Sequence, residues 1–160
     1  MPSDLVLAWA SGFFDGEGCV VVELSKSPAS AAGYRTSLHA TVTQTSIPCL
    51  EIFVKHFGGA IKTYQFTSQN STRWAVQYTW AVRNEKALEF IRAIRPFSVV
   101  KASQIDEALK YPFLSEDGKK YGNRGNPLPK HIWEERLRIR LALQDLRAAS
   151  KTKAADRYAE

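Results

Sequence analysis

Cysteine is scarce in this sequence, which has only Cys19 and Cys49 among its 160 residues. Two isolated cysteines form neither a metal-ligand cluster nor a disulfide framework, so a reducing, intracellular setting is expected. No run of about 18 apolar residues occurs, and residues 1–6 lack a signal-peptide pattern. We therefore expect no membrane partner and no secretion.

Acidic residues are also in deficit, with 16 Asp and Glu against 22 Lys and Arg, which gives a formal net charge of +6. This excess of positive charge favours a polyanionic partner, although many basic proteins bind nothing anionic. The length allows one domain with a real core, and a hydrophobic content of 44% is ordinary for a globular protein. We expect a single domain over residues 1–150 and a frayed C-terminal tail over residues 151–160.

Hydrophobic periodicity, helix caps and turn residues divide the chain into helices and strands. The predicted elements are, in order, a helix over 5–15, strands over 19–26 and 34–44, a helix between Ser46 and Gly58, strands over 60–66 and 73–83, a helix between Asn84 and Pro96, and helices over 99–111 and 130–149. Two hairpins that each lead into a helix indicate an α+β fold. Trp133, Leu137 and Leu141 are predicted to form the apolar stripe of the last helix.

Polar side chains recur at alternate positions of the predicted strands and therefore share one face of the sheet. They are Glu23, Ser25, Arg35, Ser37, His39, Thr41, Lys62, Tyr64, Arg73, Gln77 and Thr79. Simple solvation would account for such a face. These residue types also reach base edges and phosphates in DNA, and a two-stranded ribbon fits the major groove. We interpret the face as a candidate DNA-binding surface, with the loop tips at 29–32 and 67–72 contacting the DNA backbone or distal bases.

The junction of the first helix and the first strand carries the sequence WASGFFDGEG over residues 9–18. Two acids and three glycines make a poor core, since like charges repel and glycine is a poor filler of either element. A capped helix end with solvated acids would also explain this pattern. The stretch resembles the signature helix of the LAGLIDADG homing endonucleases, whose motif is matched by Gly12, Asp15, Gly16, Glu17 and Gly18. Ala10 and Ser11 depart mildly from it, because the family usually has Leu-Ala there.

The resemblance implies a LAGLIDADG fold with an αββαββα core, an antiparallel four-stranded DNA-binding saddle and extra C-terminal helices. It implies a site-specific double-strand DNA endonuclease that hydrolyses phosphodiester bonds with Mg²⁺, for which Mn²⁺ or Ca²⁺ can substitute in binding. By this resemblance Glu17 binds the metal together with the Gly16 carbonyl. Gln44 orders the attacking water, and Lys101 stabilises charge or activates water. One departure is that some relatives have an arginine near the start of the second helix, where this chain has Ile47 followed by proline.

Only one copy of the motif occurs, so cutting two DNA strands requires a second chain. Small residues three or four positions apart allow close helix packing, and Ala8, Gly12 and Gly16 have that spacing, with Ser11 alongside. Packing of this helix on its own domain would use the same residues. We expect a homodimer across the first helix, with Asp15 in a mainly structural role at the helix ends, acting on a nearly palindromic DNA target.

Other functions are compatible with the same residues. The scaffold could serve as an RNA-binding intron maturase or as a DNA-binding module without catalysis, but the joint presence of Glu17, Gln44 and Lys101 favours the enzyme. An unrelated basic α+β protein would require the motif to arise by chance. No small-molecule substrate is expected, and the expected location is a bacterial or phage-encoded cytoplasm or an organelle.

Overall fold

Helices and strands alternate through the residues that the computed structural model describes, namely 2–30, 33–64, 76–122 and 126–156. The elements are α1 (Asp4–Glu17), β1 (Gly18–Lys26), β2 (Tyr34–Gln44), α2 (Ile47–Phe57), β3 (Ala60–Tyr64), β4 (Gln77–Arg83), α3 (Glu85–Ile94), α4 (Ala102–Ala108) and α5 (Lys130–Asp156). A short 3₁₀ turn, Arg95–Phe97, separates α3 from α4. The predicted α+β arrangement, αββαββα with further C-terminal helices, is confirmed.

The four strands form one antiparallel sheet in the order β1-β2-β4-β3. In the β1–β2 hairpin Gly18 pairs with Val42, so β1 begins beside the end of β2. Further along β2, His39 pairs with Arg83 of β4. This register places the polar residues of neighbouring strands opposite one another, so they share one face of the sheet, as predicted.

The other face of the sheet is covered by helices and carries the core. Trp80 is fully buried there, with its ring centroid 4.8 Å from that of Phe53 and 5.0 Å from that of Phe90. Its indole N–H donates to the Gly58 carbonyl over 2.8 Å, so its one polar atom is satisfied. Phe14 of α1 meets Phe90 at 5.3 Å. Because aromatic side chains bury large areas, this cluster fixes the signature helix against the sheet.

Two of the predicted helices differ from those observed. α4 begins at Ala102 rather than at residue 99, because the backbone N–H groups of residues 99–101 bind the Asp15 carboxylate instead of opening a helix. In α5 the predicted apolar stripe through Leu141 is wrong, since that side chain is 57% exposed. The face that packs on β1 and α4 instead buries Arg136, Ile139 and Leu143. α5 also continues to Asp156, beyond the predicted end at residue 149.

Ser46 and Asn84, which bound two of the predicted helices, lie at the N-cap positions of α2 and α3, but neither side chain caps its helix. Ser46 precedes α2 without a side-chain hydrogen bond to it. Asn84 precedes α3, and its side-chain oxygen accepts instead from the Ser37 hydroxyl at 3.0 Å and from the Leu38 N–H at 3.2 Å. The side chain of Asn84 therefore ties α3 to β2 rather than closing the first turn of the helix.

A membrane-spanning helix is not found in the described parts of the chain.

Candidate nucleic-acid interface and active-site corner

The C-terminal end of α1 exposes Gly16 and Glu17 where the chain turns into β1. Gly18 opens the strand and has no space for a side chain, because the Phe14 ring lies against it. Within the described residues the Glu17 carboxylate has no hydrogen bond or ion pair. We call residues 15–18 together with residues 98–101 the α1 corner. Its free acid is Glu17.

Asp15, the first acid of the pair, is held by four hydrogen bonds from the segment before α4. Its Oδ1 accepts from the Ser98 hydroxyl at 2.6 Å and from the Lys101 N–H at 3.1 Å. Its Oδ2 accepts from the N–H groups of Val99 at 2.7 Å and Val100 at 3.0 Å. Burial alone would raise the pKa of Asp15, but these hydrogen bonds outweigh it and hold the pKa below its ordinary value. Both oxygens are therefore committed inside the protomer.

Lys101 lies at the same corner, half-buried at the start of α4. Its Nζ donates to the Asp15 backbone carbonyl. Burial lowers the pKa of Lys101, and the negative charges of Asp15 and Glu17 only partly oppose this. A cation with a lowered pKa close to an unpaired carboxylate is typical of a group that handles charge or protons in a reaction.

Gln44 ends β2 two residues beyond Val42, the partner of Gly18, so it lies at the same end of the sheet as the α1 corner. Its Oε1 accepts from the Thr45 N–H at 2.8 Å. No partner for its amide NH₂ occurs among the described residues, so two donors stay available. The structure thus brings Glu17, Lys101 and Gln44 to one end of the molecule.

The oxygen donors of the α1 corner are of the kind that hard divalent cations bind. Glu17 offers a free carboxylate, and Gly16 lies in the last turn of α1, where helix carbonyls lack intrahelical partners. Groups of three or more His, Cys, Asp or Glu that could hold a metal do not occur in the described ranges. These two oxygens fill only part of an octahedral shell, so water, phosphate or a second protomer must supply the other ligands.

The polar face of the sheet, which we call the saddle face, carries the predicted DNA-binding residues. Exposed side chains on it are Glu23, Arg35 and Lys62, and half-buried ones are Ser25, Ser37, Thr41, Gln77 and Thr79. Arg35 Nε donates to the Ser25 hydroxyl at 3.3 Å. Tyr64 lies opposite Gln77, although only its backbone is described. Arg73, the loop tip at 67–72 and residues 31–32 of the other tip lie outside the described residues.

Among the predicted saddle residues whose side chains the structure describes, His39 is the one that is buried, with 7% of its surface exposed. Its Nε2 lies 3.2 Å from the Glu23 carboxylate and 3.0 Å from the Ser37 hydroxyl. Burial lowers the pKa of His39, and the Arg83 charge lowers it further, while Glu23 raises it. The ring is therefore neutral at pH 7 and links two strands of the saddle face.

Two saddle residues were missed by the sequence analysis. Arg83 lies opposite His39, and Thr43 lies opposite Thr79, with their hydroxyls 2.9 Å apart. The period of two from Gln77 along β4 leads to Arg83, so strand alternation is the signal that could have found it.

The exposed face of α1 carries Ala8, Gly12 and Gly16. A Cβ added at Gly12 or Gly16 would meet nothing within 4 Å. Ser11 is different: it is fully buried, and its Oγ has no hydrogen-bond partner in the described residues. The prediction that Ser11 lies alongside Gly12 on the packing face is therefore wrong, because Ser11 points into its own domain. The small-residue stripe itself is uncovered in the protomer.

The first helix ends in an unpaired acid, next to a four-stranded sheet with one polar face. Known proteins that share this arrangement identify the class of fold. The sequence matches the LAGLIDADG endonuclease family over residues 10–106. No curated protein matches the chain. The homing endonuclease I-CvuI, solved in complex with a DNA target, superposes with a TM-score of 0.67 and 18% identity over 89% of this chain and 82% of that one.

Two further solved structures show the same fold. The archaeal intron-encoded homing endonuclease I-Vdi141I, complexed with DNA, matches with a TM-score of 0.66 and 20% identity over 89% of this chain and 84% of that one. The meganuclease I-SmaMI, bound to DNA, matches with a TM-score of 0.60 and 19% identity over 87% of this chain but only 43% of its own. This chain belongs to the LAGLIDADG endonuclease family. Its family and fold support a role as a DNA endonuclease or a DNA-binding protein.

Proposed function

We propose that two copies of this chain form a metal-dependent, site-specific homing endonuclease that cuts both strands of a nearly palindromic DNA target. The observation that carries the proposal is the α1 corner. One acid of the motif is committed to the backbone of residues 99–101, while Glu17 is exposed and unpaired beside Lys101. A protein that only binds DNA gains nothing from an unpaired carboxylate there, since it repels phosphate.

Each residue of the corner has a defined task in this proposal. Glu17 and the Gly16 carbonyl would hold Mg²⁺, with Mn²⁺ or Ca²⁺ as substitutes in binding. The ion, when bound, lowers the pKa of a water and offsets charge on the phosphate. Gln44 directs its free NH₂ donors at solvent beside the scissile phosphate. Lys101, fixed by its bond to the Asp15 carbonyl, adds positive charge where the phosphate becomes more negative.

Two features support a dimer. The uncovered stripe of Ala8, Gly12 and Gly16 lets a second helix approach closely. The fold of this chain corresponds to 43% of the I-SmaMI chain, so a second copy would complete a molecule of similar extent. Contact across α1 would bring two Glu17 carboxylates, and two saddle faces, to a common axis.

The variant that tests the proposal is Glu17→Gln. It keeps the size of the side chain and removes the charge that would hold a metal, so the loss should fall on cleavage. We expect cleavage of a target duplex, selected from a randomised DNA library with the parent protein, to fall on the order of 10³-fold or more. Gln44→Ala should lower cleavage of the same duplex by a smaller factor than Glu17→Gln does. Binding measured without metal should be unchanged or slightly tighter, because repulsion of phosphate is relieved.

Glu51→Gln is the matched control, because Glu51 is an exposed acid on α2 that is outside the α1 corner. It should cleave like the parent. If the parent binds its selected site tightly but leaves it uncut in Mg²⁺ or Mn²⁺, the chain is a DNA-binding module and the enzymatic proposal is rejected.

A further inference from the structure

A cleft of about 890 Å³ lies between the β1–β2 turn, the segment after α4 and the start of α5. This volume is within the range of small-molecule sites. The cleft is separate from the α1 corner, and it adjoins the saddle face through Arg35. The described residues that line it include four basic ones and no acidic one; the basic residues are Arg35, Lys120, Lys130 and Arg136.

Arg136 is the unusual member of this set, because it is a buried cation for which the described residues supply no anion. Only 5% of its surface is exposed. Its Nε and Nη2 donate to the Pro112 carbonyl at 3.1 and 2.9 Å, and its Nη1 to the Thr36 hydroxyl at 3.5 Å. No described carboxylate pairs with it. Buried charges are normally paired, because burial removes their solvation by water.

The two lysines of the cleft differ from Arg136, because each lies near a carboxylate. Lys120 lies 3.1 Å from the Glu85 carboxylate, and Lys130 lies 3.6 Å from that of Glu134. Arg136 has five N–H donors, of which its neutral partners use three. Two donors and a full positive charge thus remain at the wall of the cleft for an anionic group.

Aromatic rings surround this charge. The Cζ of Arg136 lies 4.9 Å from the centroid of the Tyr111 ring and 5.9 Å from the centroid of the Tyr121 ring. Tyr34 and Trp133 also line the cleft. Aromatic side chains stack on nucleobases, and guanidinium groups bind phosphate through two parallel hydrogen bonds. A cleft that combines both, and whose described lining residues include no acid, has the chemistry of a nucleotide site.

We propose that this cleft binds a nucleotide, with its phosphate on Arg136 and its base against the aromatic wall that includes Trp133. This site is additional to the proposed active site and does not depend on cleavage. A free nucleotide and the 5′-phosphorylated end of a nucleic-acid strand both present a phosphate next to a base. Titration with a mononucleotide and with a tetranucleotide distinguishes them.

The test uses the whole protein and thymidine 5′-monophosphate. In ¹H–¹⁵N spectra the indole signal of Trp133, identified by its loss in Trp133→Phe, should shift during the titration. Calorimetry should show that Arg136→Met weakens binding about tenfold or more, since a charge-assisted hydrogen-bonded pair is lost. Arg140→Met, which removes the same charge from the same helix outside the cleft, should bind like the parent. Lys130→Gln, at the rim, should weaken binding about two- to threefold.

Three outcomes would overturn the proposal: no binding, a Trp133 signal that stays in place while the nucleotide binds, or equal affinity for inorganic phosphate or unphosphorylated thymidine. The Trp133 readout in the parent protein holds even if Arg136→Met fails to fold. A 5′-phosphorylated thymidine tetranucleotide that binds about tenfold more tightly than the mononucleotide would identify a strand end as the ligand. Equal affinity would identify a free nucleotide.

Discussion

Asp15 illustrates how an acid of a signature motif can act through the backbone. Three of its four hydrogen bonds come from consecutive N–H groups, those of Val99, Val100 and Lys101. Such a cluster satisfies a carboxylate through backbone N–H groups rather than through a metal or an ion pair. Because Lys101 is one of the donors, Asp15 also fixes the position of that lysine relative to Glu17.

Asp15→Asn should lower the free energy of unfolding by about 1.5–3 kcal/mol at pH 7, because an amide NH₂ cannot accept the backbone N–H bonds. The folded-state pKa of Asp15 is lowered, so its stabilisation is fully present above the unfolded-state pKa of about 3.9. It is lost as the pH falls through the folded pKa. Urea unfolding of parent and variant should therefore show a difference that shrinks below about pH 4. A constant difference would mean that the charge of Asp15 is not the cause.

The sequence predicted the individual residues of the α1 corner only in part. Resemblance to the family indicated Glu17 and Lys101, and the structure places both there. The hydrogen bonds of Asp15 were not predictable, because their donors lie 83 to 86 positions away. Arg136 was likewise not distinguishable from Arg138, since helical periodicity does not tell which arginine of a basic helix faces inward.

Among the elements, α1 serves two purposes on opposite faces. Its inner face buries Ala10, Ser11 and Phe14, and its outer face carries Gly12 and Gly16 without neighbours. A substitution on one face therefore acts on the fold of the protomer, and one on the other face acts on assembly.

Gly12→Leu should separate these effects. The side chain has space in the protomer, and leaving glycine should stabilise α1 by up to about 1 kcal/mol. In a dimer across α1 the same side chain holds the helices apart, so dimer and cleavage should both be lost. Sedimentation and thermal unfolding measure the two effects.

Gly18→Ala is the contrasting control, since a Cβ there meets the Phe14 ring and should destabilise the protomer by about 1–3 kcal/mol. A Gly12→Leu protein that sediments as a normal dimer would place the interface away from α1.

The strands of the first hairpin were easier to predict than the helices. The strand predicted over 73–83 was less accurate, since β4 begins at Gln77 and Val76 lies outside it, while residues 65–66 and 73–75 are outside the described residues. β2 was predicted with both ends correct, and polar and apolar residues alternate strictly through its middle, from Ser37 to Thr43. α4 was predicted three residues too early, because the backbone N–H groups of residues 99–101 bind the distant Asp15 carboxylate instead of opening the helix. The local sequence pattern thus predicts that a helix is present, but hydrogen bonds to a residue distant in the sequence can shift the position at which the helix begins.

At the scale of the whole molecule, the net charge of +6 and the saddle face predict two kinds of DNA contact. Arg35→Ala or Gln77→Ala should cost about 1–3 kcal/mol at particular base pairs and little at others, because these side chains present donors and acceptors to base edges. Lys62→Ala should weaken binding evenly across sequences and reduce the salt slope by about 1, as expected for a phosphate contact. Binding to a panel of single-base target variants at several salt concentrations measures both.

If Arg35→Ala and Gln77→Ala also weaken every variant of the target equally and change only the salt slope, these two residues contact the DNA backbone.

The long sequence separation of the Asp15 bonds also has a consequence for the order of assembly. Closing a loop of more than 80 residues costs entropy that only the packing of the sheet and α3 can offset, so the α1 corner forms after those elements. A chain still emerging from the ribosome already carries the exposed Glu17 and both hairpins. Until residues 98–101 have been synthesised, it has neither Lys101 nor the segment that anchors Asp15. A chain that has not reached residues 98–101 is therefore unable to assemble the corner that we propose cuts DNA.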